Sequence, residues 1–328
     1  MLDPPRLNYH TRIDMRKDEY KEALAGLLYQ GDDRIGEGEL DVRKLEYAYS
    51  WYDFAQAAKN DHYYDPASGT YKGGFVINAE GEKEAIKGRS SFIMKKKVKV
   101  YPDTLCWLKD LTYAYNEPFV REYFSHIGYD NYPVVGVNWH QAQAFCNWRT
   151  QYFNSNAGVR VQAWRLPNEV EWEYAARGGL SGAKYPWGGP YTRNKKGCFL
   201  ANFKPLRGNY ISDGGFTTVP VGTYEPNGFG LYDMAGNVAE WTGDAFDESA
   251  YQVTHDLSPY YQITAKKSDN KILKRKVIRG GSWKDIAYFM QCGVRTYEYA
   301  DSARSFIGFR TCLLYTSNAA DDLIGVDL

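Results

Sequence analysis

The sequence lacks the cysteine and histidine patterns that mark common metal sites. Its five cysteines include no Cys-x-x-Cys pair, and its five histidines include no His-x-His or His-x-x-x-His spacing. Structural zinc sites take their ligands from such closely spaced pairs. A histidine-based metal site is therefore not expected, and an odd number of cysteines in a chain of this length assigns no redox compartment.

Long apolar runs and a charge imbalance are also missing. No apolar run approaches the ~18 residues of a membrane-spanning helix, and the first residues hold no apolar segment typical of a secretory signal. Lys and Arg number 40, as do Asp and Glu, so the formal net charge is +0. This balance excludes a global attraction to nucleic acid or anionic membranes. Two short basic runs, residues 95–97 and 274–276, are interpreted as solvated faces.

Aromatic residues and glycine are abundant instead. The chain holds 29 Tyr, 9 Trp and 31 Gly, and aromatics make up 16% of it. Tyr and Trp pack a flat apolar body, but their polar atoms still need partners. This composition is typical of an irregular, loop-rich fold, although an ordinary aromatic core would explain it equally well.

Local sequence patterns predict different secondary structure in the two parts of the chain. Residues 17–30 and 42–59 are each expected to form an amphipathic helix, the second because Leu45, Tyr49 and Tyr52 fall at helical spacing. Residues 92–101 alternate like an edge strand.

Beyond residue 131 we expect little regular structure in an α+β arrangement. A strand and turn are predicted at 132–138, and a last buried strand at 307–310. Helices are predicted at 139–149 and 169–177, capped by Asn138 and Asn168 respectively.

Four segments in fixed order resemble the formylglycine-generating-enzyme-like (sulfatase-modifying factor) family. They are residues 132–148, 165–178, 227–241, and 279–283 together with 308–310. The resemblance implies an α+β fold on a C-type-lectin-like scaffold, with metal-braced loops. Residues 101–311 would form this domain, 1–100 a helical insertion or extension within it, and 312–328 a tail foreign to the fold. Because the family's N-terminal part is not found, the chain is expected to be a fragment cut at both ends.

Further segments resemble one branch of that family, the GldK/PorK-type gliding-motility lipoproteins. They are residues 2–8, 101–104, 113–118, 185–191, 201–208 and 297–304. The resemblance implies a ring component of the type IX secretion machinery. It would lie on the periplasmic face of the outer membrane, anchored by an N-terminal lipid outside this chain. It would self-associate and bind a GldN/PorN-type partner.

The resemblance also locates where catalytic chemistry would be. Active family members hold Cu(I) between two thiolates shortly after a Gly-Gly-Ser sequence, since soft sulfur ligands select Cu(I). Counted from Ser282, the two thiolate positions hold Asp285 and Met290, and Cys292 lies two residues too late. A carboxylate and a thioether are a poor Cu(I) pair, so we predict no copper site and no oxidase activity.

Two calcium sites are implied by the resemblance. Ca²⁺ takes six to eight oxygen ligands, among them carboxylates, amides and carbonyls. The first set comprises the side chains of Asn202 and Asp213 and the carbonyls of Phe203 and Gly215. The second set comprises the Gly236 and Val238 carbonyls with the side chains of Glu240 and Asn237. The alternative is that Asn202 and Asn237 cap turns and Glu240 pairs with an arginine.

Other functions are weighed against a non-catalytic assembly role. One is a formylglycine-generating-type oxidase with an altered metal site that uses Cys292. Another is a lectin-like carbohydrate module, which no residue cluster singles out. Ser282 has no histidine near it in sequence, and the acidic residues that open the helix at 169–177 suit the helix dipole.

Partner contacts are expected in the insertion. The residues proposed as anchors are Tyr49, Trp51, Tyr52 and Phe54, because buried aromatic side chains dominate many interfaces. The aromatic stretch 297–299 is a further candidate.

Overall fold

The computed structural model describes residues 14, 17–30, 40–59, 63–112, 116–156, 161–205, 209–254 and 260–313. The chain divides into two compact units. The first comprises residues 1–101, 148–161 and 264–269, and the second residues 102–147, 162–263 and 270–328. Within the described ranges, no helix has the length and apolar character needed to cross a membrane.

The first unit is built mainly from short antiparallel strand pairs. β1 pairs with β6, β2 with β3, and β4 with β5. The elements are α1 (Asp18–Leu24), β1 (Glu46–Tyr52), α2 (Phe54–Lys59), β2 (Tyr64–Asp65), β3 (Thr70–Tyr71), β4 (Phe75–Ile77), β5 (Lys83–Ala85) and β6 (Ile93–Lys99). A small core of Val76, Ile86, Phe92 and Met94 holds them together.

The helix predicted at 42–59 is wrong over most of its length. Residues Glu46–Tyr52 form β1, and within the predicted range only the 3₁₀ turn Val42–Lys44 and the α-helix Phe54–Lys59 are helical. The strand forms because Tyr47, Tyr49 and Trp51 alternate along one face, where their rings stack, and because all seven residues pair with β6. Aromatic residues favour such half-buried pleated surfaces.

Two further predictions in this unit are confirmed. The helix predicted at 17–30 begins as α1 and continues as a 3₁₀ turn, Ala25–Leu27. The alternating stretch at 92–101 forms β6. The resembling segment at 2–8, part of that at 113–118 and residues 314–328 of the predicted tail lie outside the described residues.

The second unit carries one larger sheet and the longest helices. Its sheet has the order β10-β7-β8-β9, in which β10 runs parallel to β7 and the other neighbours are antiparallel. The elements are α3 (Cys106–Asp110), α4 (Glu117–Glu122), α5 (Trp139–Asn156, which continues into the first unit), α6 (Glu169–Arg177), β7 (Ala239–Ala245), α7 (Ala250–Val253), β8 (Arg275–Arg279), β9 (Thr296–Tyr299) and β10 (Ile307–Phe309).

Both predicted helix caps are present in this unit. Asn138 and Gln141 exchange side-chain and backbone hydrogen bonds of 2.8 and 2.9 Å at the start of α5. Asn168 and Glu171 do the same at the start of α6. Each exchange satisfies backbone N–H groups that a helix start otherwise leaves unpaired. The last strand is also confirmed, as β10.

The strand predicted at 132–138 does not form. The segment is extended but bonds to separate loops, since the Gly136 N–H donates to the Arg304 carbonyl and the Gly136 carbonyl accepts from Asp103. Cys312 lies inside the boundary predicted for the tail, yet it is buried and bridges to Arg165. The folded unit therefore extends at least to Leu313, which is also buried.

Candidate functional site: a degenerate metal centre

The segment after β8 folds tightly back on itself. Gly280 and Gly281 both have positive φ angles, of 91° and 66°. A Cβ at Gly281 would lie about 3 Å from the backbone of Phe289 and Met290. Only glycine permits this approach, which brings the two ends of the predicted copper segment together.

Asp285, which the resemblance assigns to the first thiolate position, is bound within its own turn. The Ser282 hydroxyl donates to Asp285 Oδ2 over 2.6 Å, and burial raises the pKa of the Asp285 carboxyl. Ser282 itself is fully buried, and its Oγ also accepts from the Lys284 N–H. Ser282 therefore braces this turn and is not placed as a nucleophile.

Met290 and Cys292 pack in different apolar clusters. Met290 is fully buried with Tyr185 and Phe203, whereas Cys292 packs with Trp172 and other residues of a second cluster. Burial raises the pKa of the Cys292 thiol to about 11, which disfavours the thiolate that a soft metal requires. These residues do not fit a two-thiolate Cu(I) centre.

The acidic residues of α6 form ion pairs with arginines. Glu169 accepts two hydrogen bonds of 2.6 and 2.8 Å from Arg295, and Glu173 pairs with Arg177 and with the fully buried Arg279. These pairs neutralise the carboxylates more directly than the helix dipole does. Local spacing does not indicate the partners of Arg279, because they are distant along the chain.

The first predicted calcium set contains two buried oxygens without a donor. Asn202 Oδ1 and Asp213 Oδ1 have no hydrogen-bond partner, although both residues are buried. The Phe203 N–H donates to the other oxygen, Asp213 Oδ2, over 2.6 Å. Because Phe203 follows Asn202 directly, this bond holds the Asp213 carboxylate close to the backbone at Asn202. A Cβ at Gly215 would lie 3.3 Å from Asn202 Oδ1. Unpaired buried oxygens are costly, and these are the ligand type that Ca²⁺ takes. The set fits a bound cation.

The second predicted set is occupied by protein contacts. Glu240 accepts two hydrogen bonds from Arg310 and one from the Trp172 indole, all 2.6 Å long. The Asn237 side chain exchanges hydrogen bonds with the backbone of Val219. Val238 packs in an apolar cluster. These contacts match the alternative of a turn cap and an arginine pair.

The two predicted sets meet at Asn202. Its Nδ2 donates to Asn237 Oδ1 over 3.3 Å, and a Cβ at Gly236 would lie 2.3 Å from its carbonyl oxygen. Among the described residues, no group of three or more His, Cys, Asp or Glu side chains is placed to hold a metal ion. The Asn202–Asp213 set depends on amide and carbonyl oxygens as well as a carboxylate.

The predicted partner anchors differ in exposure and lie on two elements, Phe54 on α2 and the others on β1. Tyr49 is buried at 7% exposure, while Trp51 and Phe54 are exposed at 38% and 76%. Tyr52 packs against Phe54 and Phe92. Only Trp51 and Phe54 present substantial aromatic surface to solvent.

The second unit combines a four-stranded sheet, short helices and long irregular segments. Residues 91–313 match the family described as the Sulfatase-modifying factor enzyme 1-like domain. The chain belongs to this family, and its mixed helix and strand content is α+β.

Relatives include both active and inactive proteins. A formylglycine-generating enzyme of Streptomyces coelicolor is 35% identical over 189 residues, which are 56% of this chain and 53% of that protein. An inactive C-alpha-formylglycine-generating enzyme 2 of Bos taurus is 35% identical over 185 residues, 55% of this chain and 49% of that protein. The chain therefore spans about half the length of the curated relatives it matches.

A solved structure with a similar chain is PvdO from Pseudomonas aeruginosa. It is 28% identical, with a TM-score of 0.44 over 55% of this chain and 61% of that chain.

Proposed function

We propose that this chain is a non-catalytic member of its family. The observation that carries the proposal is the side-chain chemistry of the copper segment. Asp285 and Met290 stand where two thiolates are required, and Cys292 is packed in a separate apolar cluster with a raised pKa. Relatives described as inactive are among the proteins it matches.

The biological role we propose is assembly in the type IX secretion and gliding-motility machinery. The support is the resemblance of segments such as 185–191 and 297–304 to GldK/PorK-type lipoproteins. The full-length protein would form a ring at the periplasmic face of the outer membrane, held by an N-terminal lipid. It would bind a GldN/PorN-type partner.

We further propose one structural Ca²⁺ ion at Asn202 and Asp213, with the Phe203 and Gly215 carbonyls completing part of its shell. Its support is the pair of buried oxygens without donors. The ion would brace loops and take no part in a reaction. The second set, around Glu240, has no comparable support.

An alternative is a formylglycine-generating-type oxidase with an altered metal site, which the active relatives favour. The two functions are separated by titrating the full-length native protein with Cu(I) and assaying oxidation of a Cys-x-Pro-x-Arg peptide. A non-catalytic protein shows neither stoichiometric copper binding nor aldehyde formation. Tight one-to-one binding that disappears in Cys292→Ala, accompanied by peptide oxidation, would establish the oxidase instead.

A further inference from the structure

β1 and β6 form a two-stranded ribbon with two chemically different faces. The strands pair in register along all seven residues of each, so alternate side chains point to opposite faces. One face carries Tyr47, Tyr49 and Trp51. Their rings stack at centroid distances of 6.1 and 5.4 Å, and this stacking stiffens the ribbon.

The opposite face carries a regular row of lysines. Lys95, Lys97 and Lys99 occupy alternate positions of β6 and are exposed. The residues paired with Lys95 and Lys97 on β1 are Ser50 and Ala48. Small side chains beside the row leave room on this face for a second extended chain.

One carboxylate of the ribbon, that of Glu46, already pairs with a lysine on this face. Glu46 lies directly across from Lys99 and forms an ion pair with Lys97. A hydrogen bond from Lys97 lowers the pKa of the Glu46 carboxyl, with added attraction from the charges of Lys97 and Lys99. The face therefore favours ionised carboxylates at the level of its lysine row.

We propose that this lysine face binds an extended, acidic protein segment with Asp or Glu at alternate positions. Residues two apart on a strand are separated by about 6.6 to 6.8 Å, so alternate carboxylates of an extended chain match the spacing of Lys95, Lys97 and Lys99. The proposal goes beyond the proposed function and holds whichever machinery the protein serves.

Acidic protein fits this face better than the other polyanions do. Single-stranded nucleic acid is held by aromatic side chains beside the cations, but Tyr47, Tyr49 and Trp51 lie on the other face of the ribbon. The aromatic residue of the lysine face, Tyr52, lies at its end and packs against Phe54 and Phe92. A membrane surface is held by apolar side chains among the cations, whereas Ala48 and Ser50 lie beside Lys97 and Lys95, and the exposed Ile93 lies at the end of the row.

The test uses the full chain and fluorescence anisotropy with a labelled peptide of alternating Glu and Thr. We expect binding that weakens about tenfold in Lys95→Glu/Lys97→Glu. A peptide of the same composition, with all its Glu residues in one block, should bind more weakly. The control variant Lys59→Glu/Lys87→Glu makes the same charge change at two other exposed positions of the first unit, and it should keep wild-type affinity.

Because charge reversal beside Glu46 can disturb the ribbon, Lys95→Gln/Lys97→Gln provides a second variant, and its melting temperature reports folding. Equal losses in the ribbon and control variants overturn the proposal. So does equal affinity for the alternating and blocked peptides. Preferential binding of an oligothymidine or of anionic phosphatidylglycerol vesicles also overturns it, in favour of a nucleic acid or a membrane.

Discussion

At Asp213, one buried carboxylate oxygen has no hydrogen-bond partner. Burial raises the pKa of this carboxyl group, against the lowering effect of the backbone N–H groups of Phe203 and Gly215. If Ca²⁺ occupies this set, chelation should lower the melting temperature of the protein, because a ligand bound only by the folded state adds about 2.7 kcal/mol at a hundredfold excess over its Kd. Asp213→Ala should abolish most of this response, measured by differential scanning calorimetry with and without chelator.

The matched control is Glu225→Ala, which removes an exposed carboxylate from the same unit. It should keep the full calcium response. Superimposable wild-type melting curves in calcium and in chelator would show that no such ion stabilises the fold.

Lys276 gives a prediction about alkaline pH. Its side chain is buried, its ammonium group lies 4.0 Å from the centre of the Trp139 ring, and burial lowers its pKa to about 8, against the attraction of Asp244. Since the unfolded pKa is near 10.5, the folded state releases this proton first. The contribution of Lys276 to stability is therefore lost as pH falls through 8 and is recovered as pH rises towards 10.5.

Lys276→Met removes this titration while keeping most of the side-chain volume. Between pH 7 and 9.5, the free energy of unfolding of the wild type should rise by about 1 to 2 kcal/mol relative to the variant, as measured by urea denaturation. The exposed Lys87→Met variant should track the wild type across the same range. Parallel pH profiles for wild type and Lys276→Met would contradict the prediction.

Whether a helix or strand could be predicted depended on how far apart in the sequence its stabilising contacts lie. α5 and α6 were predicted because their caps are local, with Asn138 and Asn168 each bonding a residue three positions on. β1 was wrongly predicted as a helix because its aromatic residues fit both the helical and the strand periodicity. Leu45, Tyr49 and Tyr52 match a helix, whereas the alternation of aromatic side chains matches a strand. Pairing with β6, more than 40 residues away, decides between them.

Tyr49 of β1 and Phe54 of α2, both proposed as partner anchors, differ sharply in burial. Tyr49→Ala should destabilise the protein by about 2 to 4 kcal/mol, because it removes a buried, stacked ring. Phe54→Ala should change stability by no more than about 0.5 kcal/mol, because its side chain is 76% exposed. Chemical denaturation of both variants tests the difference, and equal losses would argue against the buried and exposed assignments.

At the scale of the whole molecule, the positions expected to hold copper ligands could be counted from Ser282, since they follow one another along the chain. For Glu240, the sequence analysis named an arginine as the alternative partner but could not identify it as Arg310. These residues are 70 positions apart and meet only because β10 lies beside β7. Local spacing carries no information about such partners, so the second calcium set could not be separated from a structural pair.

The assembly proposal makes its own prediction for the full-length native protein. Replacing Trp51 and Phe54, the two exposed anchors, by serine should lower recovery of the periplasmic partner in co-purification by about tenfold, since aromatic anchors commonly contribute 2 kcal/mol or more. Tyr191→Ser, at a comparably exposed aromatic position outside the insertion, serves as the control. Normal partner recovery in the double variant would rule out these anchors.

The parallel pairing of β10 with β7 has a consequence for biosynthesis. β7 is buried along its whole length and leaves the ribosome well before Ile307 and Phe309, which cover its edge. Until then, the backbone groups of that edge have no partner, and Glu240 lacks the guanidinium of Arg310. An open strand edge is a template for pairing with other chains. We therefore expect the nascent chain to be prone to aggregation from the emergence of β7 until β10 pairs with it.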